Sequence, residues 1–157
     1  FDKNVFINEP IKIVNYYNAS QDQSKIVSLN IFHIQSGSEI SFVEKDINDG
    51  KDSFNLKLNK FLCDESSVLK CGKFFEGKVN NHILSYNYFT LQKDTILNID
   101  GLNKESIFNK EFIEIDLEDK GSDVKINILN LGKLREMLAL FIADYNLETR
   151  GILESKI

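Results

Sequence analysis

The chain has 157 residues, enough for one domain, and 42% of them are hydrophobic, which suffices for a core. Its net charge of −5 argues against nucleic acid as a partner, because that needs a basic footprint. No apolar run approaches the ~18 residues of a membrane-spanning helix, so membrane insertion is not expected.

The sequence opens at Phe1 without a Met and without a signal-peptide pattern, which leads us to expect a piece cut from a longer polypeptide or a start further upstream. Pro10 then precedes Ile11-Lys12-Ile13-Val14, a strand start where a missing N–H costs little. Runs rich in Ile, Val, Phe and Tyr follow at Ser24–Ile34, Ser53–Leu62, Ile83–Leu91 and Glu111–Leu117, alternating or nearly so, as strands do. Polar turns such as Asp46-Ile47-Asn48-Asp49-Gly50 and Asn103-Lys104-Glu105 separate them.

A repeat underlies this order. Polar tetrads lead into β-branched residues at Gly37-Ser38-Glu39-Ile40, Glu65-Ser66-Ser67-Val68, Lys93-Asp94-Thr95-Ile96 and Gly121-Ser122-Asp123-Val124. The anchors Ile40, Val68, Ile96 and Val124 stand 28 residues apart, and each interval holds two extended segments. The expected fold is mainly β: a right-handed parallel β-helix, or solenoid, in which each coil stacks on the next. An antiparallel sandwich with evenly spaced hairpins is the alternative.

Beyond residue 132 the pattern changes. Leu134, Met137, Leu138, Phe141, Ile142 and Tyr145 follow helical spacing, widened by Leu140 and Leu147, and Gly151 is placed to stop the helix. The expected organisation is therefore a β-helix core over 1–132 and a C-terminal α-helix within 133–157. Such a stripe packs either on its own domain or on a partner subunit.

The order of elements resembles the core of the SufB/SufD family of iron–sulfur cluster assembly proteins. The resemblance rests on Glu9-Pro10-Ile11-Lys12-Ile13, on Asn81-His82 leading to Asn87-Tyr88-Phe89-Thr90-Leu91, and on Leu117 through Val124. The helix from Leu134-Arg135-Glu136-Met137-Leu138 to Ala143-Asp144 resembles the family's closing helix. The resemblance implies a non-catalytic, SufD-like scaffold in the cytoplasm or in an organelle of bacterial origin. It would pair with a SufB-like sister subunit and dock a SufC-like ABC ATPase through Leu134, Met137, Leu138, Phe141, Ile142 and Tyr145. It also implies that an iron–sulfur cluster is assembled in the complex, while this chain alone binds no cofactor. The family's helical N-terminal region is absent and its β-core is longer, so no cluster-building residue is transferred.

Residues that could carry chemistry are few. Cys63 and Cys71 do not make a disulfide framework or a CxxC pair; they read as small buried hydrophobes sooner than as cluster ligands. His33, between Phe32 and Ile34, reads as a packed or edge residue, and His82 as a structural or surface residue. Two histidines and two cysteines match a metal site only in number. Glu114, Asp116 and Glu118 alternate with Ile113, Ile115 and Leu117, the pattern of a half-solvated strand. No phosphate loop, nucleophile elbow or zinc-protease motif is present. A β-helix carbohydrate-active enzyme is an alternative function, although no Asp, Lys or Arg column recurs at the 28-residue period. A self-assembling structural solenoid is another.

Overall fold

The structure, a computed structural model, describes residues 11–77, 81–104, 108–131, 136–145 and 150–156. Side chains are described for 11–77, 81–104 and 110–129. The strands are β1 (Ile11–Asn18), β2 (Lys25–Ile34), β3 (Glu39–Asn48), β4 (Phe54–Cys63), β5 (Val68–Gly77) and β6 (His82–Leu91). They continue as β7 (Ile96–Lys104), β8 (Phe108–Leu117), β9 (Asp123–Leu131), β10 (Glu136–Tyr145) and β11 (Arg150–Lys156).

Odd-numbered strands form one sheet, β1-β3-β5-β7-β9-β11, and even-numbered strands form the other, β2-β4-β6-β8-β10. Every pairing among these strands is parallel, so the fold is a two-sheet β-solenoid and not an antiparallel sandwich. Because parallel neighbours are joined through the opposite sheet, each coil contributes one strand to each face.

The repeat is real but its step is uneven. Residues with positive φ mark one corner at Gly37, Ser66, Asp94 and Gly121, at intervals of 29, 28 and 27. At this corner Gly37 N–H donates to Glu65 O, Ser66 N–H to Lys93 O and Asp94 N–H to Lys120 O, so each coil is stapled to the next. The hydroxyls of Ser67, Thr95 and Ser122 close the same corner by donating to Asp64 O, Gln92 O and Gln92 O. The equal spacing of 28 therefore averages a drifting register. Ile40 lies beside Leu69, not Val68, and Val124 lies beside Leu97, not Ile96.

Inward side chains stack in columns. Phe32 stacks on Phe61 at 5.1 Å and Phe61 on Phe89 at 4.9 Å, with rings nearly parallel. Phe42 meets this ladder edge-on from the opposite sheet, 5.3 Å from Phe61. Ile34, Leu69, Leu91, Leu97, Ile99, Ile113 and Ile126 complete an apolar core. Such interdigitation of like rings is what in-register parallel stacking permits.

Two expectations are corrected. Glu136–Tyr145 is not a helix: it is β10, paired with β8 from Glu136↔Phe108 to Tyr145↔Leu117. Arg150–Lys156, where the helix was to have stopped, is β11, paired with β9. No helix occurs among the described residues, and strands continue beyond residue 132. The open edge of β8 offers a full row of backbone donors and acceptors, and pairing with it overrides the helical propensity of this segment. Leu134 lies outside the described residues.

Gly50 makes the closest backbone approach. A Cβ there would lie 2.1 Å from the carbonyl oxygen of Gln21 in the neighbouring coil. The obstructing atoms, Gln21 C and O and Ala19 O, are backbone and cannot swing aside as a side chain would, so Gly50→Ala is expected to cost on the order of 2 kcal/mol or more. Chemical denaturation of the variant checks this; an unchanged midpoint would contradict the coil stacking at this corner.

Candidate functional site

Sheet alternation places two very different surfaces on the strands β2, β4, β6 and β8. The inner surface carries the apolar ladder at the C-terminal half of each strand and a polar cluster at the N-terminal half. The outer surface carries an apolar central column, with charged residues among those flanking it.

The polar cluster is closed off from solvent. Lys57 of β4 is 0% exposed and its ammonium donates to Glu44 Oε1 at 2.6 Å and to Asp46 Oδ2, both carboxylates reaching in from β3. Lys57 Nζ also lies 4.4 Å from the centre of the Phe75 ring and 4.9 Å from that of Tyr17, a cation–π seat. Lys73 of β5 pairs with Glu111 of β8. An asparagine column links the two ion pairs: Asn30 Nδ2 donates to Asn59 Oδ1 (2.8 Å), and Asn59 Nδ2 lies within reach of Asn87 Oδ1 (2.9 Å). Asn59 Nδ2 also donates to Glu44 Oε2, and Asn87 Nδ2 to Glu111 Oε1. Two ammonium groups thus face three carboxylates.

Charge and burial shift these groups. Burial alone would raise the Glu44 carboxyl, but Lys57, Lys73 and Asn59 together hold it below the ordinary carboxylate value. Burial pushes the Lys57 ammonium down to about 8; Glu44 opposes the shift and Lys73 adds to it. Lys57 therefore remains largely charged at neutral pH, at a cost offset only by its partners.

The cysteines lie in the apolar core and are free thiols. Burial, with Asp64 adding to it, pushes Cys63 up to about 12, and burial pushes Cys71 higher still. Both stay protonated at neutral pH, which disfavours thiolate ligation. His33 is exposed on the outer face, its Nε2 2.9 Å from Asp64 Oδ1. His82 lies on the same outer face two strands away. Among the described residues no group of three or more His, Cys, Asp or Glu is arranged to hold a metal ion. Glu114 and Asp116 sit on the outer face as the alternation predicts, accepting from the hydroxyls of Tyr86 and Tyr88. Met137, Leu138, Phe141, Ile142 and Tyr145 lie on strand β10 and not on a helix.

Sequence reasoning missed the ion cluster. The usable signal was the recurrence Asn30, Asn59, Asn87 alongside Phe32, Phe61, Phe89, both spaced 29 then 28. A comparison at a fixed period of 28 does not align these columns.

On the outer face three columns run across the strands. The central one is Leu29, Leu58, Tyr86 and Phe112. Val27, Leu56, Leu84 and Lys110 flank it on one side, and Ile31, Lys60, Tyr88 and Glu114 on the other. Val27, Leu29 and Ile31 are 71%, 66% and 63% exposed, and Leu58 and Tyr86 are exposed as well. Single exposed apolar residues are ordinary, but a contiguous apolar sheet face marks an interaction site.

On the outside of the other sheet, Gly72 opens a groove of about 510 Å³ between Val43, Phe74 and Leu102. It is shallow and its rim includes Asp100, already engaged by Asn127 Nδ2 at 2.8 Å.

The chain matches no protein-family model, no curated protein and no solved structure at a significant level.

Two consequences of the ion cluster can be measured. Lys57→Met leaves Glu44 and Asp46 buried without their cation and is expected to cost about 3–5 kcal/mol by chemical denaturation. A loss below 1 kcal/mol would show that Lys57 does not sit between them. With pH the sign for Glu44 follows from its lowered folded value: its stabilisation is present above the ordinary value of 4.5 and is lost as pH falls through the lower folded one. Glu44→Gln is therefore expected to flatten the loss of stability below pH 4.5 relative to wild type.

Proposed function

We propose that the chain is a non-catalytic scaffold that works by docking partners on the outer face of its β2-β4-β6-β8 sheet. The observation that carries this reading is the contiguous apolar surface around Leu29 and Leu58, on strands whose charged residues Lys57 and Glu111 turn inward. The groups best suited to proton transfer, Glu44, Lys57, Lys73 and Glu111, are paired with one another behind this face. What the protein offers to solvent is a binding surface, and its buried ions serve to hold that surface.

The narrower form of the reading is a SUF-type scaffold of the SufD kind, in the cytoplasm or an organelle of bacterial origin. It pairs with a SufB-like sister, works with a SufC-like ABC ATPase, and holds no cofactor of its own while the complex assembles an iron–sulfur cluster. Its support is the motif order from Glu9 to Val124 together with a parallel β-solenoid core.

Co-expression with SufB-like and SufC-like subunits followed by size-exclusion chromatography tests both levels. Co-elution that is lost in Leu29→Glu is the expected result. Co-elution unaffected by Leu29→Glu would remove the docking face, and no co-elution at all would remove the SUF-type assignment.

A further inference from the structure

The apolar sheet face has an internal symmetry that selects its occupant. We propose that this face packs, with strands antiparallel, against the same face of a second copy of the chain. The inference rests on the scaffold reading and names the occupant that this docking surface takes when the chain is alone, without a sister subunit to displace it.

A twofold axis laid along the central column Leu29–Leu58–Tyr86–Phe112, midway between two such sheets, sets that column against itself. The same operation exchanges the flanking columns at each coil. Val27 then meets the partner copy's position 31, so β-branched side chains oppose each other at the first coil. At the next coil Leu56 meets position 60, where the Lys60 ammonium is drawn along the sheet to within 5.3 Å of the Tyr88 ring and presents its apolar stem. Leu84 meets position 88, apolar against aromatic. At the coil of β8 Lys110 meets position 114, cation against carboxylate, and the twofold makes the pair twice. A parallel arrangement with the axis along the strands, midway between β4 and β6, would instead set Ile31 against position 114 and bury a carboxylate on an aliphatic side chain. Self-complementarity of this kind is what an isologous interface requires.

The face is large enough. Four ten-residue strands about 4.8 Å apart, rising about 3.3 Å per residue, present on the order of 600 Å² per copy. The pair buries about 1,200 Å², at the lower end of stable interfaces. Two apolar sheet faces packed this way reproduce the ~10 Å spacing of a β-sandwich. A dimer of this size dissociates on dilution through the micromolar range.

Sedimentation equilibrium of the full chain from about 1 to 200 µM tests the proposal. The expected result is a monomer–dimer equilibrium. Leu58→Asp, an exposed substitution, is expected to weaken it at least about 100-fold. Lys110→Glu and Glu114→Lys are each expected to weaken it about 5- to 10-fold, and the two together to restore it. If Leu58→Asp fails to fold, as circular dichroism reports, the charge-exchange set carries the test by itself. A dimer indifferent to all three changes, or a double exchange no tighter than the single ones, would overturn the proposal. So would a chain that stays monomeric throughout. In that last case, co-elution with a SufB-like subunit that Leu58→Asp abolishes would assign the face to the sister and leave the scaffold reading intact.

Discussion

The contact of one lysine with two carboxylates, Lys57 with Glu44 and Asp46, constrains the rest of the molecule. An ammonium at 0% exposure is tolerable only if its charge is matched within hydrogen-bond distance, and the matching groups come from the neighbouring strand in the opposite sheet. That requirement fixes which side of β4 faces inward. Once Lys57 points in, period-two alternation sends Leu56 and Leu58 out, and parallel pairing transmits the choice to β2 and β6. The apolar exterior is thus the counterpart of the buried ion cluster. Turning β4 over would exchange the two surfaces at once.

The interior is divided along its length for the same reason. At one side Phe32, Phe61 and Phe89 stack with Phe42 against them, and dispersion and area burial stabilise the coil. At the other side an asparagine ladder links the two ion pairs, so that breaking one member exposes several others to an unpaired environment. The apolar side supplies stability and the polar side supplies specificity of register, because a one-residue slip of β4 would bury Leu56 and Leu58 among carboxylates.

Much of the architecture was legible in the amino-acid order, and the parts that were not have physical reasons. The turn tetrads signalled a solenoid because each corner needs a residue tolerant of positive φ followed by a hydroxyl that caps it, as at Ser66-Ser67 and Asp94-Thr95. Glu114 and Asp116 were placed correctly because β8 alternates acidic and aliphatic residues with no ambiguity about which side is buried. On β4 the same rule misleads: Leu56 and Leu58 look like the core side and Lys57 and Asn59 the solvent side, and the Glu44–Asp46 carboxylates from β3, together with the stacking of Phe61 between Phe32 and Phe89, reverse it. No single-strand pattern contains that information. The segment from Glu136 to Tyr145 carries a helical apolar spacing, yet it completes a ladder on β8, because an open parallel edge outweighs local propensity.

The inversion of β4 is the claim on which the ion cluster and the docking face both depend, and thiol accessibility measures it directly. Cys63 and Cys71 are buried, protonated thiols and give little native background. A maleimide reagent is expected to label Leu58→Cys rapidly in the folded protein at low concentration, and Asn59→Cys only after denaturation. Rapid native labelling of Asn59→Cys with protection of Leu58→Cys would place the leucines inside and the ions outside, and would contradict the account.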